Sequence, residues 1–247
     1  MRTWGMFAAV ILGAFWGAAA AADTVTYQIA ASADDTFCTS SSSSYTNNVV
    51  YWPYGSDSRR DFLRWAIDLP AGAEITSAYV KVRAAATSSN TTTLEMQLVD
   101  ADSCADFTTT PYARAVTGPT VNWSVGPLTT DTWYTGPDVK DIVQAFVNRP
   151  GYAPGNYLGL RAKLVSGTTH KQIRAWNYGA HDSGAKLEIT YVTNQAPTAD
   201  AGDDQTVVDT NLSGDQAVTL DGTGSSDSDG TITSYVWTEG GTPLATG

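Results

Sequence analysis

The sequence predicts an all-β protein built from antiparallel β-sandwich domains. Apolar and polar residues alternate with a period of two in Thr76–Arg83, 94–98, 158–164 and 187–191. This alternation is typical of sheets that bury one face and expose the other. Turn signals such as Pro70-Ala71-Gly72 separate the segments. Most of the 25 acidic residues are Asp, which favours turns, rather than Glu, which favours helices.

One segment departs from the strand pattern. Between Asp138 and Asn148 the apolar residues follow helical spacing: Val139, Ile142, Val143, Phe146 and Val147. Asp138 is a candidate N-cap, and Arg149-Pro150-Gly151 would end the helix. We therefore predict one short helix that crosses an end of the sandwich and plugs its core.

The N-terminus has the pattern of an export signal. Arg2 precedes an apolar stretch from Met6 to Trp16, and the small-residue tract 18–22 offers a cleavage site before Asp23. The apolar stretch is too short to cross a bilayer, which takes about 20 residues. We predict a signal peptide at 1–22 and a secreted or cell-surface protein without a membrane segment after processing. A retained N-terminal anchor is the alternative.

The charge balance argues against nucleic acid as a partner. The chain has 25 acidic and 14 basic residues, with a formal net charge of −11. An acidic protein repels a polyphosphate backbone.

The chain has two cysteines, Cys38 and Cys104. Exported proteins meet an oxidising environment, so we predict a disulfide between them. Two free thiols are the alternative. Neither cysteine has a His or a second Cys nearby in sequence, which argues against metal or redox chemistry.

The composition divides the exported chain into two modules. Residues 23–193 form a long module, and the polar stretch 194–198, with Pro197, is a predicted linker. The remainder, 199–247, has strand-like segments at 199–208, 217–221 and 231–237. It is small for a complete sandwich domain, so we expect the N-terminal part of a second module, continued by downstream domains of the same polypeptide.

The long module resembles a DNRLRE-like jelly-roll domain, a family related to carbohydrate-binding modules of secreted bacterial proteins. The matching stretches, in the family's order, are Ala33–Phe37, Arg59–Ala78, Gly136–Gln144, Asn156–Leu160 and Leu187–Tyr191. The resemblance implies a jelly-roll β-sandwich that recognises a polysaccharide or cell-surface glycan. The sequence departs from the family at Arg174–Asp182, where a Ser-x-Glu is usual, and in its two cysteines.

The remainder resembles the first half of a PKD-type immunoglobulin-like domain. The matching residues are Ala196–Val207, Val218–Gly222 and Ser225–Trp237. The resemblance implies an incomplete Ig-like sandwich that serves as a spacer or adhesion unit.

No motif in the sequence predicts catalysis. His170 and His181 do not form a metalloprotease pattern, and no nucleophile elbow or phosphate loop is present. Glu is scarce, although paired Asp residues could support a glycosidase site. We predict that this chain is not an enzyme, while a catalytic domain downstream stays open.

Sugar binding calls for flat aromatic side chains beside polar groups that address hydroxyls. The candidates are Tyr51, Trp52, Tyr54, Arg59, Arg60, Arg174, Trp176 and Tyr178. Neighbouring residues of a strand point to opposite faces, so Tyr51 and Trp52 cannot serve one platform.

Calcium is the candidate cofactor, because it takes several carboxylate and carbonyl oxygens. The candidate ligands are Asp34, Asp35, Asp182, Asp227 and Asp229. Capping of Asx turns explains the same residues equally well.

Three functions follow from these observations. The first is a non-catalytic carbohydrate-binding module followed by a PKD-like spacer. The second is a purely structural stalk or adhesin segment. The third is the accessory region of an extracellular hydrolase whose catalytic domain lies downstream.

Overall fold

The computed structural model describes residues 8–10, 14–15, 22–40, 42, 46–52, 59–167, 170–193, 195–203, 205, 208, 217, 219–229, 231–239 and 242–246. The chain divides into two compact units. The large unit is Ala22–Val192, and the small unit combines Met1–Ala21 with Thr193–Gly247.

The described residues form strands joined mostly by short turns. The elements are β1 (Ala8–Val10), β2 (Ala14–Phe15), β3 (Asp23–Gln28), β4 (Asp35–Cys38), β5 (Val49–Trp52), β6 (Arg60–Ile67), β7 (Glu74–Arg83), β8 (Thr92–Val99), β9 (Val116–Val125), β10 (Trp133–Asp138), α1 (Lys140–Val147), β11 (Asn156–Gly167), β12 (Lys171–Arg174), β13 (Lys186–Val192), β14 (Thr231–Ile232), β15 (Val236–Glu239) and β16 (Thr242–Thr246).

The large unit is an all-β sandwich, as the alternation predicted. One sheet has four strands in the order β10-β7-β13-β3, and the other has five in the order β4-β6-β11-β8-β9. A short sheet of β12 and β5 joins the end of β7 through a bridge between Ala84 and Ile173. The strand pairs of all three sheets are antiparallel.

The apolar residues of the alternating segments fill the space between the sheets. Ala78, Val80 and Val82 of β7 are buried, as are Leu187 and Ile189 of β13. They face the apolar side chains of the five-stranded sheet, such as Leu94, Met96, Leu98, Leu158 and Leu160. Each side chain of this size gains roughly 1.5–3 kcal/mol on full burial, so the alternation decides which face of each strand points inward.

A loop of residues 100–115, here called the covering loop, lies over the outer side of the five-stranded sheet. Phe107 of this loop packs against Phe62 with ring centroids 5.8 Å apart. Arg60 Nη1 donates to the Tyr112 carbonyl at 2.5 Å, and Arg64 Nη1 donates to the Cys104 carbonyl at 2.8 Å. Because the loop covers this side, β11 is buried on both faces over part of its length.

The predicted helix is present, and it is the single α-helix in the part of the chain that the structure describes. It buries Ile142, Val143, Phe146 and Val147. It begins at Lys140, later than predicted, with Val139 at the N-cap position. Asp138 still supports the helix: its Oδ1 accepts hydrogen bonds from the backbone N–H groups of Lys140 at 2.9 Å and Ala78 at 3.0 Å. The carboxylate thus ties the helix start to β7.

The small unit contains two small sheets, β1-β15-β16 and β14-β2. A bridge joins Thr198 to Ser226. The described residues of 199–208 and 217–221, where strands were expected, lie outside strands. No helix in the described part of the chain is long and apolar enough to span a bilayer.

Candidate functional site

The solvent side of the four-stranded sheet carries an aromatic and charged surface. Strand pairing sets Trp133 opposite Arg83, Lys186 opposite Lys81, and Glu188 opposite Tyr79. Opposed residues share a face of the sheet, and the neighbouring positions of β7 and β13 are buried. We call this surface the Trp133 face: Trp133, Arg83, Lys81, Lys186, Glu188 and Tyr79.

Trp133 is the exposed aromatic side chain of this face, with 37% of its surface accessible. Lys186 Nζ lies 4.7 Å from the centre of its ring. Lys81 pairs with Glu188 at 2.7 Å, which neutralises both charges. Lys186 thus lies over one face of the Trp133 ring. The accessible part of the ring can stack on the apolar side of a sugar ring, while the neighbouring polar side chains hydrogen-bond to the sugar hydroxyls.

Two arginines and an aspartate lie at one end of the Trp133 face. Arg83 donates through Nε to the Asp131 carbonyl at 3.1 Å. Arg174 forms an ion pair with the Asp131 carboxylate, which is 58% exposed. Both guanidinium groups also reach the Ser183 hydroxyl, each at 3.4 Å. The cluster links the turn before β10 to the loop before β13.

The backbone at this end adopts two left-handed conformations. Asp131 has φ of 68° and His181 has φ of 64°. A non-glycine residue in this region is uncommon, and such strain collects at functional sites. The His181 ring stacks on Trp176 with centroids 3.9 Å apart, and its Nδ1 lies 2.9 Å from the Trp176 carbonyl oxygen. These contacts hold the loop before β13 in one conformation.

The predicted ligand aromatics Trp176 and Tyr178 are both engaged inside the protein. One face of Trp176 is covered by His181, and its ring packs against the core. The Arg174 guanidinium lies 4.1 Å from the centre of the Tyr178 ring. Arg174 itself is 9% exposed. The structure therefore brings these three predicted residues together, as supports of the loop rather than as an open platform.

Tyr51 and Trp52 point to opposite sides of β5, as strand geometry requires. Trp52 is 2% exposed and packs against Trp123 at 5.1 Å. The Trp52 ring therefore belongs to the core, which argues against its predicted role in sugar binding. Tyr51 is half-buried between the edges of Phe37 and His170. Tyr54 lies outside the described residues.

Arg59 and Arg60 lie far along the chain from the Trp133 face and on other elements. Arg60 sits in β6 of the five-stranded sheet, where its guanidinium stacks 4.2 Å from the Tyr112 ring centre. Arg59 lies 5.6 Å from the Phe37 ring centre. Arg59, Arg60 and Arg174 thus each lie against a different aromatic ring.

Two of the predicted calcium ligands are buried acids with protein partners. Asp34 is 2% exposed and pairs with Arg64 Nε at 2.6 Å. Asp35 is 1% exposed and accepts a hydrogen bond from the Trp176 N–H at 2.7 Å. Burial, reinforced by the nearby Asp34 charge, raises the pKa of Asp35 to about 8. Both carboxyl groups are thus already held by groups of the protein.

The other predicted ligands accept hydrogen bonds from protein groups. Asp182 is exposed and accepts a hydrogen bond from the Ser183 hydroxyl at 2.9 Å, which lowers the pKa of its carboxyl. Asp227 Oδ1 accepts from the Asp229 N–H at 3.1 Å, and Asp229 accepts from the Gln195 N–H at 2.9 Å. Among the described residues, no three His, Cys, Asp or Glu side chains are grouped to hold a metal ion.

The predicted disulfide is absent: Cys38 and Cys104 are buried free thiols. The strand register gives the reason. Cys38 pairs with Arg60, while Cys104 packs on Gly159, which pairs with Arg64. Arg60 and Arg64 are four positions apart along β6, roughly 13 Å of strand. Cysteines whose Cα atoms are more than about 7 Å apart cannot be bridged without backbone movement.

A cleft of about 230 Å³ opens beside Cys104 and is lined by Asp100, Ser103 and Arg114, among others. Arg114 donates to the carbonyls of Ala105 at 2.6 Å and Asp106 at 2.5 Å. Burial raises the pKa of the Cys104 thiol, so the nucleophilic thiolate is disfavoured. The cleft is thus formed by the covering loop together with Val99 at the end of β8.

Sequence reasoning missed Trp133, Lys186 and Asp131. The alternation in β7 did predict that Tyr79, Lys81 and Arg83 share a solvent face, and the structure confirms it. Trp133 follows a turn in sequence, and only the pairing of β10 with β7 places it beside Arg83. A non-local pairing of this kind leaves no signal in the local sequence.

No protein-family model matches the chain, and a comparison with curated proteins finds no match either.

Proposed function

We propose that the large unit is a non-catalytic module that binds carbohydrate through the Trp133 face, in a secreted or cell-surface protein where the small unit acts as a spacer. The observation that carries the proposal is Trp133, 37% exposed on a sheet face beside Lys186 and Arg83. A glycan surface needs an aromatic side chain that solvent can reach, and Trp133 is one.

The scaffold suits recognition of a rigid ligand. Trp133, Arg83 and Lys186 lie on three neighbouring strands of one antiparallel sheet. Side chains on strands are held more firmly than those on loops, and a site gains precision from such support. Arg83 is further fixed by its hydrogen bond to the Asp131 carbonyl.

The electrostatics of the face support binding without catalysis. Glycoside hydrolysis uses two carboxyl groups that flank the scissile bond. Glu188 is paired with Lys81, and Asp131 is paired with Arg174. Both of these acids are thus engaged by cations rather than placed as a free pair of carboxyl groups.

The test is a polysaccharide array probed with the full chain, followed by affinity measurements on any bound glycan. Trp133→Ala should weaken binding at least about tenfold, the usual scale for a central aromatic anchor. Trp133→Phe should keep part of the affinity. Val165→Ala is the matched control, because Val165 is 52% exposed on the five-stranded sheet.

If the wild-type chain binds a glycan and Trp133→Ala binds it equally well, the Trp133 face is not the binding site. Absence of binding to every glycan would overturn it and favour the structural stalk or adhesin segment. Repeating the array with a chelator tests calcium, since a calcium-dependent module would lose its affinity.

A further inference from the structure

The large unit contains a fully buried lysine that the proposed binding face does not use. Lys171 of β12 is 0% exposed. Its Nζ donates hydrogen bonds to the Ser88 hydroxyl at 2.9 Å, to the Gly126 carbonyl at 2.9 Å and to the Asn90 carbonyl. An ammonium group loses its hydration on burial, and only such hydrogen bonds offset that cost.

No carboxylate contributes to this arrangement among the described residues. Burial lowers the pKa of Lys171, and no neighbouring acid counters it. The three oxygens around the ammonium come from a hydroxyl and two backbone carbonyls. Among the described residues these three oxygens are the partners of the ammonium, so it holds the chain segments that carry them.

The three oxygens belong to two chain segments that meet at Lys171: residues 84–91, after β7, and residues 126–132, before β10. Ser88 and Leu128 exchange both backbone hydrogen bonds at 2.9 Å. The Asp131 N–H also donates to the Ala84 carbonyl at 3.0 Å. The ammonium group thus lies where these two segments are hydrogen-bonded to each other.

These segments lead directly into the Trp133 face. Arg83 is the last residue of β7, immediately before the first segment. Asp131, in its left-handed conformation, closes the second segment just before Trp133 opens β10. Any displacement of the paired segments would therefore move Trp133 and Asp131 relative to Arg83.

We propose that Lys171 is a positioning residue for the Trp133 face: its buried ammonium fixes segments 84–91 and 126–132, and so fixes Trp133 and Asp131. The expected effect of Lys171 on glycan binding rests on the proposed function. The positioning itself can be measured without any glycan.

The experiment compares the full wild-type chain with Lys171→Met, which keeps an unbranched four-atom stem but removes the ammonium. Arg161→Met is the matched control, because Arg161 is a 7% exposed cation paired with Glu95 on the five-stranded sheet. Lys171→Gln keeps two N–H donors and serves as the second variant if Lys171→Met does not fold. Readouts are amide hydrogen exchange at Leu128 and Asp131, the NMR signal of the Trp133 indole N–H, and glycan affinity.

In Lys171→Met we expect exchange at Leu128 and Asp131 to rise about tenfold or more relative to α1, the effect of about one lost hydrogen bond. The Trp133 indole signal should shift, and glycan affinity should fall about tenfold. Lys171→Gln should show the same changes to a smaller degree. Arg161→Met should leave the indole signal and the affinity unchanged.

Uniformly faster exchange with an unmoved Trp133 signal would overturn the inference and leave Lys171 a purely stabilising residue. Unchanged glycan affinity in a folded Lys171→Met variant would also overturn it. If the wild-type chain binds no glycan, the proposed function fails, while the exchange and indole readouts still decide whether Lys171 positions the segments.

Discussion

At the residue scale, several buried polar side chains of the large unit are held at least in part by backbone groups. Arg64 is shared between the Asp34 carboxylate and the Cys104 carbonyl. Lys171 is held by two carbonyls and a hydroxyl. Asp35 accepts a backbone N–H from Trp176. Each of these side chains therefore ties together chain segments that are distant in sequence.

Asp35 should make the stability of the protein depend on pH. Burial raises its pKa from 3.8 to about 8, so the folded state binds the proton more tightly than the unfolded chain. The resulting stabilisation is present below about pH 4 and is lost as the pH rises toward about 8, at up to about 1.4 kcal/mol per pH unit. Asp35→Asn should flatten this slope in denaturant unfolding measured from pH 4 to 8.

The control for that measurement is Asp141→Asn, which changes an exposed carboxylate on α1. It should keep the wild-type slope. If the free energy of unfolding does not change with pH in either the wild-type chain or Asp35→Asn, the prediction is contradicted.

At the element scale, β11 is the strand whose environment departs most from the alternating pattern. Leu158 and Leu160 face the core as expected, but Gly159 and Arg161 on the opposite side are buried too. The covering loop accounts for this burial, since Cys104 packs directly on Gly159 and its N–H donates to the Tyr157 carbonyl at 2.8 Å. A glycine is required here because the loop approaches the strand so closely.

Gly159→Ala should therefore destabilise the protein by roughly 1–3 kcal/mol, the usual cost of overpacking. The new methyl group would overlap Cys104, whose backbone hydrogen bond prevents it from moving aside. The measurement is the free energy of unfolding in denaturant. Gly126→Ala is the control, because a methyl group there would meet no atom within 4 Å.

Adding Cys104→Ala to Gly159→Ala should recover part of the lost stability, since it removes the overlapping sulfur. Equal stability of Gly159→Ala and the wild-type chain would show that the covering loop yields easily, contrary to this prediction.

At the scale of the whole molecule, the two free thiols mean that no disulfide between Cys38 and Cys104 joins the covering loop to the sheet. The loop is held by hydrogen bonds and packing against Phe62. Cys104 belongs to the loop, and Cys38 lies at a separate position on β4. Its attachment is therefore non-covalent and reversible on local unfolding.

Mass analysis of the unreduced chain, unfolded in denaturant, should show two alkylatable cysteines. The folded chain should react slowly with the same reagent, because both thiols are buried and burial raises the pKa of each. A chain two hydrogens lighter, with no thiol to alkylate, would show that the disulfide forms after all.

The local pattern of the sequence was enough for the elements that bury a single face. Alternation located β7, β8 and β13, and helical spacing located α1, because each of these signals comes from residues a few positions apart in one chain segment. The predicted start of α1 was less accurate, because Asp138 also accepts a hydrogen bond from the Ala78 N–H of β7. That second partner is a tertiary contact.

The sequence by itself thus determined the all-β sandwich and its inward-facing residues, since burial of apolar side chains follows their period along the chain. Only the tertiary structure decided which polar and aromatic residues meet. It placed Trp52 in the core, Trp176 beneath His181, the two cysteines apart, and Trp133 beside Arg83. These outcomes depend on which strands are neighbours and in what register, and a one-residue change in register would reverse them.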